Sequence, residues 1–456
     1  MKKVTSINPS TEEVFFELNE SGIFEINAIV KKARNSNKWS EKNSYERAKV
    51  LINLVELLEE NKKELAEIMA KEMGKAIKSG RHEVDITKKR ISDFCRLIPG
   101  YIKEETLEEN DKEINIARYE PLGVVAVISP WNAPIFVSLA SIIPALLTGN
   151  NVIWKPSEYV SLTSIKLAEI IKKLALPENT FQYIIGGKDV GRNLVESDVD
   201  IIALTGSVGA GREVIRSSAE GLKKFILELG GKDPAIVLKD AKIKEAAAAI
   251  VKSATMYTGQ VCFAVERVYC LSDVYDEFVE RCLEEVKKIK VGNPMDNESD
   301  MGPFAVKFQM EKYFEHLEDA LNKGAKILYG GKRIGNKGYF AEPSIITEVN
   351  HNMKIMKEET FSPCLPIMRI YNDEEAIRLA NDSEYGLTAS IWTSNLEKGK
   401  KIAEKIEAGT VEINRHGMSK AGCPWGGYKK SGIGRIYSKE GVREFTNVKH
   451  IWVVKN

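Results

Sequence analysis

A chain of 456 residues is long enough to bury more than one core, so two or three domains are expected. Its 43% hydrophobic and 29% charged content is that of a soluble globular protein, and a net charge of +1 excludes a basic field for nucleic acid or an anionic membrane. No apolar run spans a bilayer, no apolar leader follows Met1-Lys2-Lys3, and none of the six cysteines forms a CxxC pair, so a cytoplasmic protein with free thiols and no metal is expected. The three glutamines and abundant Lys, Glu and Ile fit a thermophile or an AT-rich genome equally.

Residues 26–79 read as helices, with Leu51, Leu54, Val55 and Leu58 at three and four spacing. Residues 102–118 form an acidic stretch of little periodicity that closes on the apolar segment Ile114 to Tyr119. Gly123 to Ile128 and Asn151 to Lys155 are short continuous apolar runs, the pattern of parallel strands buried on both faces. A helix over 163–174 follows. Strands over 181–185 and 201–205 each run into glycine. The segment Gly206-Ser207-Val208-Gly209-Ala210-Gly211 then opens a helix, and N–H groups at such a turn suit a pyrophosphate. A second series starts near Pro234, with strands over 235–238 and 267–271 around an Ala-rich helix over 243–256. The alternation predicts an α/β chain with a doubly wound, Rossmann-like domain and a second α/β domain. Val448 to Val454 alternates weakly, as an edge strand does.

Two Gly-punctuated segments carry the chemistry. Glu228-Leu229-Gly230-Gly231-Lys232-Asp233-Pro234 supplies a carboxylate, and Gly259-Gln260-Val261-Cys262 supplies a thiol 34 positions on. A thiolate attacks a carbonyl, and a carboxylate in a partly apolar site activates the water that releases the acyl group. A lone cysteine is more often a small buried hydrophobe, so the surrounding motifs decide. These are Pro130-Trp131-Asn132-Ala133-Pro134, Lys155-Pro156-Ser157-Glu158, Thr205-Gly206-Ser207, Glu359-Thr360-Phe361-Ser362-Pro363, Pro424-Trp425-Gly426-Gly427 and Ser431-Gly432-Ile433-Gly434-Arg435.

In order and spacing the set resembles the NAD(P)-dependent aldehyde dehydrogenase superfamily, in its hydrolytic, non-acylating form. The resemblance implies a cofactor domain of residues 1–102 and 122–228, a catalytic domain of residues 229–435, and a small β arm of residues 103–121 and 436–456. In the family the arm reaches a neighbouring subunit, so a homo-oligomer, dimer or tetramer, is implied. Cys262 becomes the nucleophile, passing through a thiohemiacetal to a thioester. Glu228 becomes the base for hydrolysis. Asn132, with the backbone N–H of Cys262, becomes the oxyanion donor.

The resemblance also assigns Trp131, Lys155, Glu158, Gly187, Gly191, Thr205, Gly206, Ser207, Glu359 and Phe361 to the cofactor. A carboxylate at Glu158 accepts from both ribose hydroxyls and repels a 2′-phosphate, so NAD is expected, with NADP possible. The family glycine after the phenylalanine is Ser362 here. Serine reaches positive φ only at a cost, so a differently placed loop is expected.

The substrate is the least determined part. Ala133, Phe136, Val137, Ala140, Tyr257, Val261, Phe263 and Trp425 form the expected pocket wall. Family members that oxidise succinate semialdehyde place arginines near positions 140 and 256–257. Ala140, Met256 and Tyr257 stand here instead. Arg415 and His416, at the expected pocket mouth, either anchor a polar substrate or face solvent, and Cys423 lies near the rim. A small aliphatic aldehyde, hydroxyaldehyde or semialdehyde is expected. The alternatives are a coenzyme A-acylating semialdehyde dehydrogenase, which has no need of Glu228, and a silent binding protein.

Overall fold

The computed structural model describes residues 2–455. Met1 and Asn456, the outer limits of the expected cofactor domain and arm, lie outside the described residues. The architecture is mixed α/β and rests on two large, mainly parallel sheets.

The first sheet has six strands in the order Gly432–Ile433, Lys224–Glu228, Ile201–Thr205, Val124–Ile128, Asn151–Lys155, Phe181–Tyr183. Its apolar runs are continuous because both faces are covered. Val125, Val127, Val152, Trp154, Ile201 and Ala203 pack on one side. Val124, Ala126, Ile153, Ile202 and Leu204 pack on the other. All pairings are parallel except that of Gly432–Ile433, which runs antiparallel to Leu227 and Glu228. The chain thus returns to the first sheet after building the second. Residues 26–79 are helical in several pieces, the first on the Val124 face and the later ones, with the 25-residue helix Ile77–Tyr101, on the Val125 face. The strand expected to reach residue 185 stops at Tyr183.

The second sheet has seven strands in the order Lys326–Tyr329, Ser344–Thr347, Cys364–Ile370, Val265–Leu271, Asp233–Val237, Thr388–Trp392, Thr410–Ile413. A third, three-stranded sheet joins Thr446–Val454, Glu113–Pro121 and Glu105–Glu109. The pairing of the 448–454 run with the 114–119 segment is present, with Val448 opposite Tyr119 and Val453 opposite Ile114. The acidic stretch contributes a strand that its composition hides, Glu105–Glu109, largely exposed. The hairpin of Lys3–Asn8 and Glu13–Asn19 is also unsignalled. Its second strand buries no residue, so no hydrophobic period marks it.

Candidate active site

Ile128, Lys155 and Thr205 end neighbouring strands on one side of the first sheet. From Val124–Ile128 the strand order runs outward in both directions, and α/β sheets bind ligands at such a switch point. A cavity of about 460 Å³ opens there, lined by Trp131, Asn132, Lys155, Glu158, Thr205, Gly206, Ser207, Cys262, Glu359 and Phe361 with their neighbours. A second cavity of about 340 Å³ shares Lys155, Glu158 and Ser207 and runs on to Gly187 and Gly191. Every residue expected to hold the cofactor lines one of the two.

Within this cleft Ser207 caps the helix Val208–Ser218, accepting from the Ala210 N–H at 3.2 Å, so its hydroxyl hydrogen is free to donate. The Lys155 ammonium is buried and its closest carboxylate oxygen, on Glu158, is 3.7 Å away. Burial lowers the Lys155 pKa and Glu158 opposes that. A cation held this loosely suits a ligand hydroxyl or phosphate. The Trp131 and Phe361 rings meet edge to face, centroids 5.6 Å apart.

The thiol arrives on a bent loop. Tyr257, Thr258 and Gly259 are consecutive left-handed residues, at φ 53°, 61° and 69°. Gln260 holds the bend, its side chain donating to the Tyr257 carbonyl at 2.9 Å and accepting from the Ala305 N–H at 3.0 Å. Gly259 packs against the Ser362 carbonyl with no room for a side chain. Asn132 is buried, and its amide donates to the Gln260 carbonyl at 2.9 Å, two residues from Cys262. Burial pushes the Cys262 thiol pKa well up, and Asp233, Glu228 and Glu359 push it further. At neutral pH the sulfur therefore keeps its proton until a base removes it.

Glu228 ends its strand deep inside, 5% exposed, with no hydrogen-bond partner on either carboxylate oxygen. Burial raises its pKa well above the usual range, against the pull of Arg435 and of the nearby Trp425 indole N–H, which lies outside hydrogen-bonding geometry. Glu359 is likewise pushed up to about 7 by burial and by Glu266, while accepting from the Gly231 N–H at 3.0 Å. In the loop expected to be differently placed, Ser362 avoids the left-handed region and Phe361 takes it instead, at φ 53°.

The substrate assignments separate. Ala133, Phe136, Ala140, Val261 and Trp425 are all buried, Val137 lines the cleft, and Phe263 meets Trp425 edge to face at 5.8 Å. Tyr257 is turned elsewhere. It lines a different cavity, with Lys252 and Asp300, and its ring carries the Lys75 ammonium at 3.7 Å. Arg415 is corrected outright. It is exposed, bound to Glu412 at 2.9 Å and to the Met418 carbonyl at 3.0 Å. His416 points inward, Nε2 at 2.6 Å from the Phe263 carbonyl and Nδ1 buried without a partner. Burial drops its pKa to about 4, so it is neutral. Cys423 is exposed.

Two groups escaped the sequence. Glu266 accepts from the Thr360 and Phe361 N–H groups, each at 2.7 Å, and pairs with Lys232 at 2.6 Å, pinning the Glu359 loop. Glu83 accepts from the Ile135 and Phe136 N–H groups at 2.9 and 3.1 Å and pairs with buried Lys75. The adjacent charges Glu266 and Arg267 near the start of a buried strand, four positions after Cys262, were the available sign of Glu266.

The aldehyde dehydrogenase family model matches residues 1–451. The chain is 34% identical to betaine aldehyde dehydrogenase of Bacillus subtilis (strain 168), over 98% of this chain and 93% of that protein. It is 34% identical to lactaldehyde dehydrogenase of Escherichia coli (strain K12), over 98% and 94%. The crystal structure of betaine aldehyde dehydrogenase from Staphylococcus aureus in complex with NAD+ superposes with a TM-score of 0.94, at 32% identity, over 99% of this chain and 91% of that one.

Proposed function

The chain belongs to the aldehyde dehydrogenase family and is an NAD(P)-dependent aldehyde dehydrogenase, and we propose that it oxidises a small aldehyde to the free acid through a thioester on Cys262. The observation that carries this reading is the shared cavity, which puts Cys262 and Asn132 in one space with Lys155, Glu158, Glu359 and Phe361. NAD, or NADP less readily, supplies the hydride acceptor when bound. Bound there, the cofactor would have its adenosine ribose held by Lys155 and Glu158, its adenine accommodated beside Gly187 and Gly191, and its pyrophosphate met by Thr205, Gly206 and Ser207. Glu359 would hold the nicotinamide ribose, with Trp131 and Phe361 lining the same space.

The Cys262 thiol passes its proton to solvent water in the open cleft, and the thiolate adds to the aldehyde carbon. The Asn132 amide and the Cys262 N–H take the negative charge that develops on oxygen. Once the carbon is oxidised, Glu228 takes a proton from water, which attacks the thioester and frees Cys262. An unpartnered, buried carboxyl is the form such a base needs. It favours hydrolysis over transfer to coenzyme A.

In this reading residues 1–102 and 122–228 form the cofactor domain and residues 229–435 the catalytic domain, with Gly432–Ile433 lent back to the first sheet. The arm, residues 103–121 and 436–456, exposes Leu107, Val448, Trp452 and Val454, a surface suited to a second copy of the chain in a dimer or tetramer. Six free thiols suit a reducing, cytoplasmic compartment. No helix of the described residues is long and apolar enough to cross a membrane.

The test is NADH and NADPH formation on propanal, lactaldehyde, glyceraldehyde, succinate semialdehyde and benzaldehyde, with and without coenzyme A. Turnover without coenzyme A is expected. Turnover only with it would replace hydrolysis by acyl transfer.

A further inference from the structure

Arg90 sits on the long helix Ile77–Tyr101 and is 7% exposed. Its Nη2 donates to the Ser419 carbonyl at 2.6 Å, while Nη1 is buried with no hydrogen-bond partner. Asp93, a carboxylate whose charge it feels, is bound instead to Arg96 at 3.0 Å. The guanidinium lies 4.2 Å from the Tyr437 ring centroid and 5.4 Å from that of Phe136. These two rings and that of Phe94, at 5.8 Å, soften the burial of a cation but give its N–H groups nothing to bond. A buried cation with an idle donor is costly unless an anion visits it.

Its position says which anion. The Tyr437 ring, 4.2 Å from the guanidinium, lies 6.4 Å from the Trp425 ring, which in turn meets Phe263 beside Cys262, so a continuous aromatic wall joins the thiol to Arg90. Phe136 stands in the first turn of the helix Pro134–Leu147, which begins two residues after Asn132. Neither Tyr437 nor Phe136 lines the cofactor cleft. An aldehyde with its carbonyl at Cys262 and Asn132 therefore has a second, apolar side to extend along, and Arg90 waits on that side. Arg415, the cation expected for this task, is turned outward by Glu412.

We propose that Arg90 is a specificity-determining residue that receives the anionic far end of the substrate, so that the preferred aldehydes carry a carboxylate or phosphate. This rests on the proposed reaction at Cys262. The anion takes the Nη1 donors that the Ser419 carbonyl leaves over.

The experiment compares succinate semialdehyde, glyceraldehyde 3-phosphate and uncharged pentanal as substrates for wild type, Arg90→Met and Arg90→Lys. Wild type is expected to favour at least one anionic aldehyde over pentanal in kcat/KM by roughly 10- to 100-fold, the worth of a hydrogen bond to a charged group. The better of the two identifies carboxylate or phosphate. Arg90→Met is expected to erase the preference through KM and to leave pentanal turnover within about threefold. Arg90→Lys, which keeps the charge but not the fork, is expected to fall between. Equal use of pentanal by wild type overturns the proposal. So does an equal loss on all substrates in Arg90→Met, which would make Arg90 a packing residue. If Arg90→Met does not fold, an unchanged preference in Arg90→Lys overturns it as well. Absence of turnover on every aldehyde by wild type would instead refute the proposed reaction.

Discussion

Glu228 ends a strand of the first sheet and Glu266 opens the body of a strand in the second, and the two surroundings treat a buried glutamate in opposite ways. Glu266 has Lys232 and two backbone N–H groups on its oxygens. Glu228 has no hydrogen-bond partner. A satisfied carboxylate fixes geometry, since moving it would strand several polar groups at once. An unsatisfied one is held with a raised pKa and is free to take up and release a proton. The lesson is that burial alone does not mark a catalytic carboxylate. The state of its hydrogen bonds does.

The largest effect expected is that of Cys262→Ala, which should lower aldehyde oxidation by roughly a thousandfold or more while NAD binding holds. Near-normal turnover would mean that neither glutamate flanks the reaction, and the contrast would lose its functional meaning. Next come the glutamates themselves. Glu228→Gln should cut steady-state kcat by roughly 10²- to 10⁴-fold, keep a first burst of NADH, and melt within a few degrees of wild type. Glu266→Gln should strand the buried Lys232 and cost about 3–5 kcal/mol of stability in a denaturant titration. If Glu266→Gln melts normally and Glu228→Gln unfolds, the assignments are reversed.

A third glutamate, Glu158, is half-open and sits 3.7 Å from Lys155. Glu158→Ser should shift kcat/KM toward NADP by roughly tenfold, and an unchanged ratio would take the carboxylate off the ribose. The smallest effect is in stability against pH. The folded-state pKa of Glu228 is raised, so its contribution to stability is complete at low pH and is lost as pH rises through that pKa. The melting temperature of Glu228→Gln should therefore gain on wild type as pH rises from about 5 to about 9. A gap independent of pH would mean that Glu228 titrates normally.

Much of this was legible in the sequence, and what was not has a common cause. The strands ending at Ile128, Lys155 and Thr205 show as apolar runs because both faces are packed, and period and length are local properties. Asn132, Glu228 and Cys262 were legible through the motifs around them. Glu266 was not, because its partners Thr360 and Phe361 lie 94 and 95 positions away. Arg90 was missed likewise, since its one carbonyl partner is 329 positions on. Tyr257 was placed in the wrong cavity because three left-handed residues in succession turn the chain there, and no periodicity forecasts that turn. Arg415 looked available only while Glu412, three residues back, was not seen to hold it.

The return of Gly432–Ile433 to the edge beside Glu228 has a consequence for biosynthesis. A ribosome emits the other five strands of the first sheet long before residue 433 appears. Until then Leu227 and Glu228 face an open sheet edge, and the Trp425–Gly427 segment that covers the carboxyl has not been made. The edge beside Glu228 is therefore closed, and the base sealed in, only once Gly432–Ile433 has been made, long after its own strand.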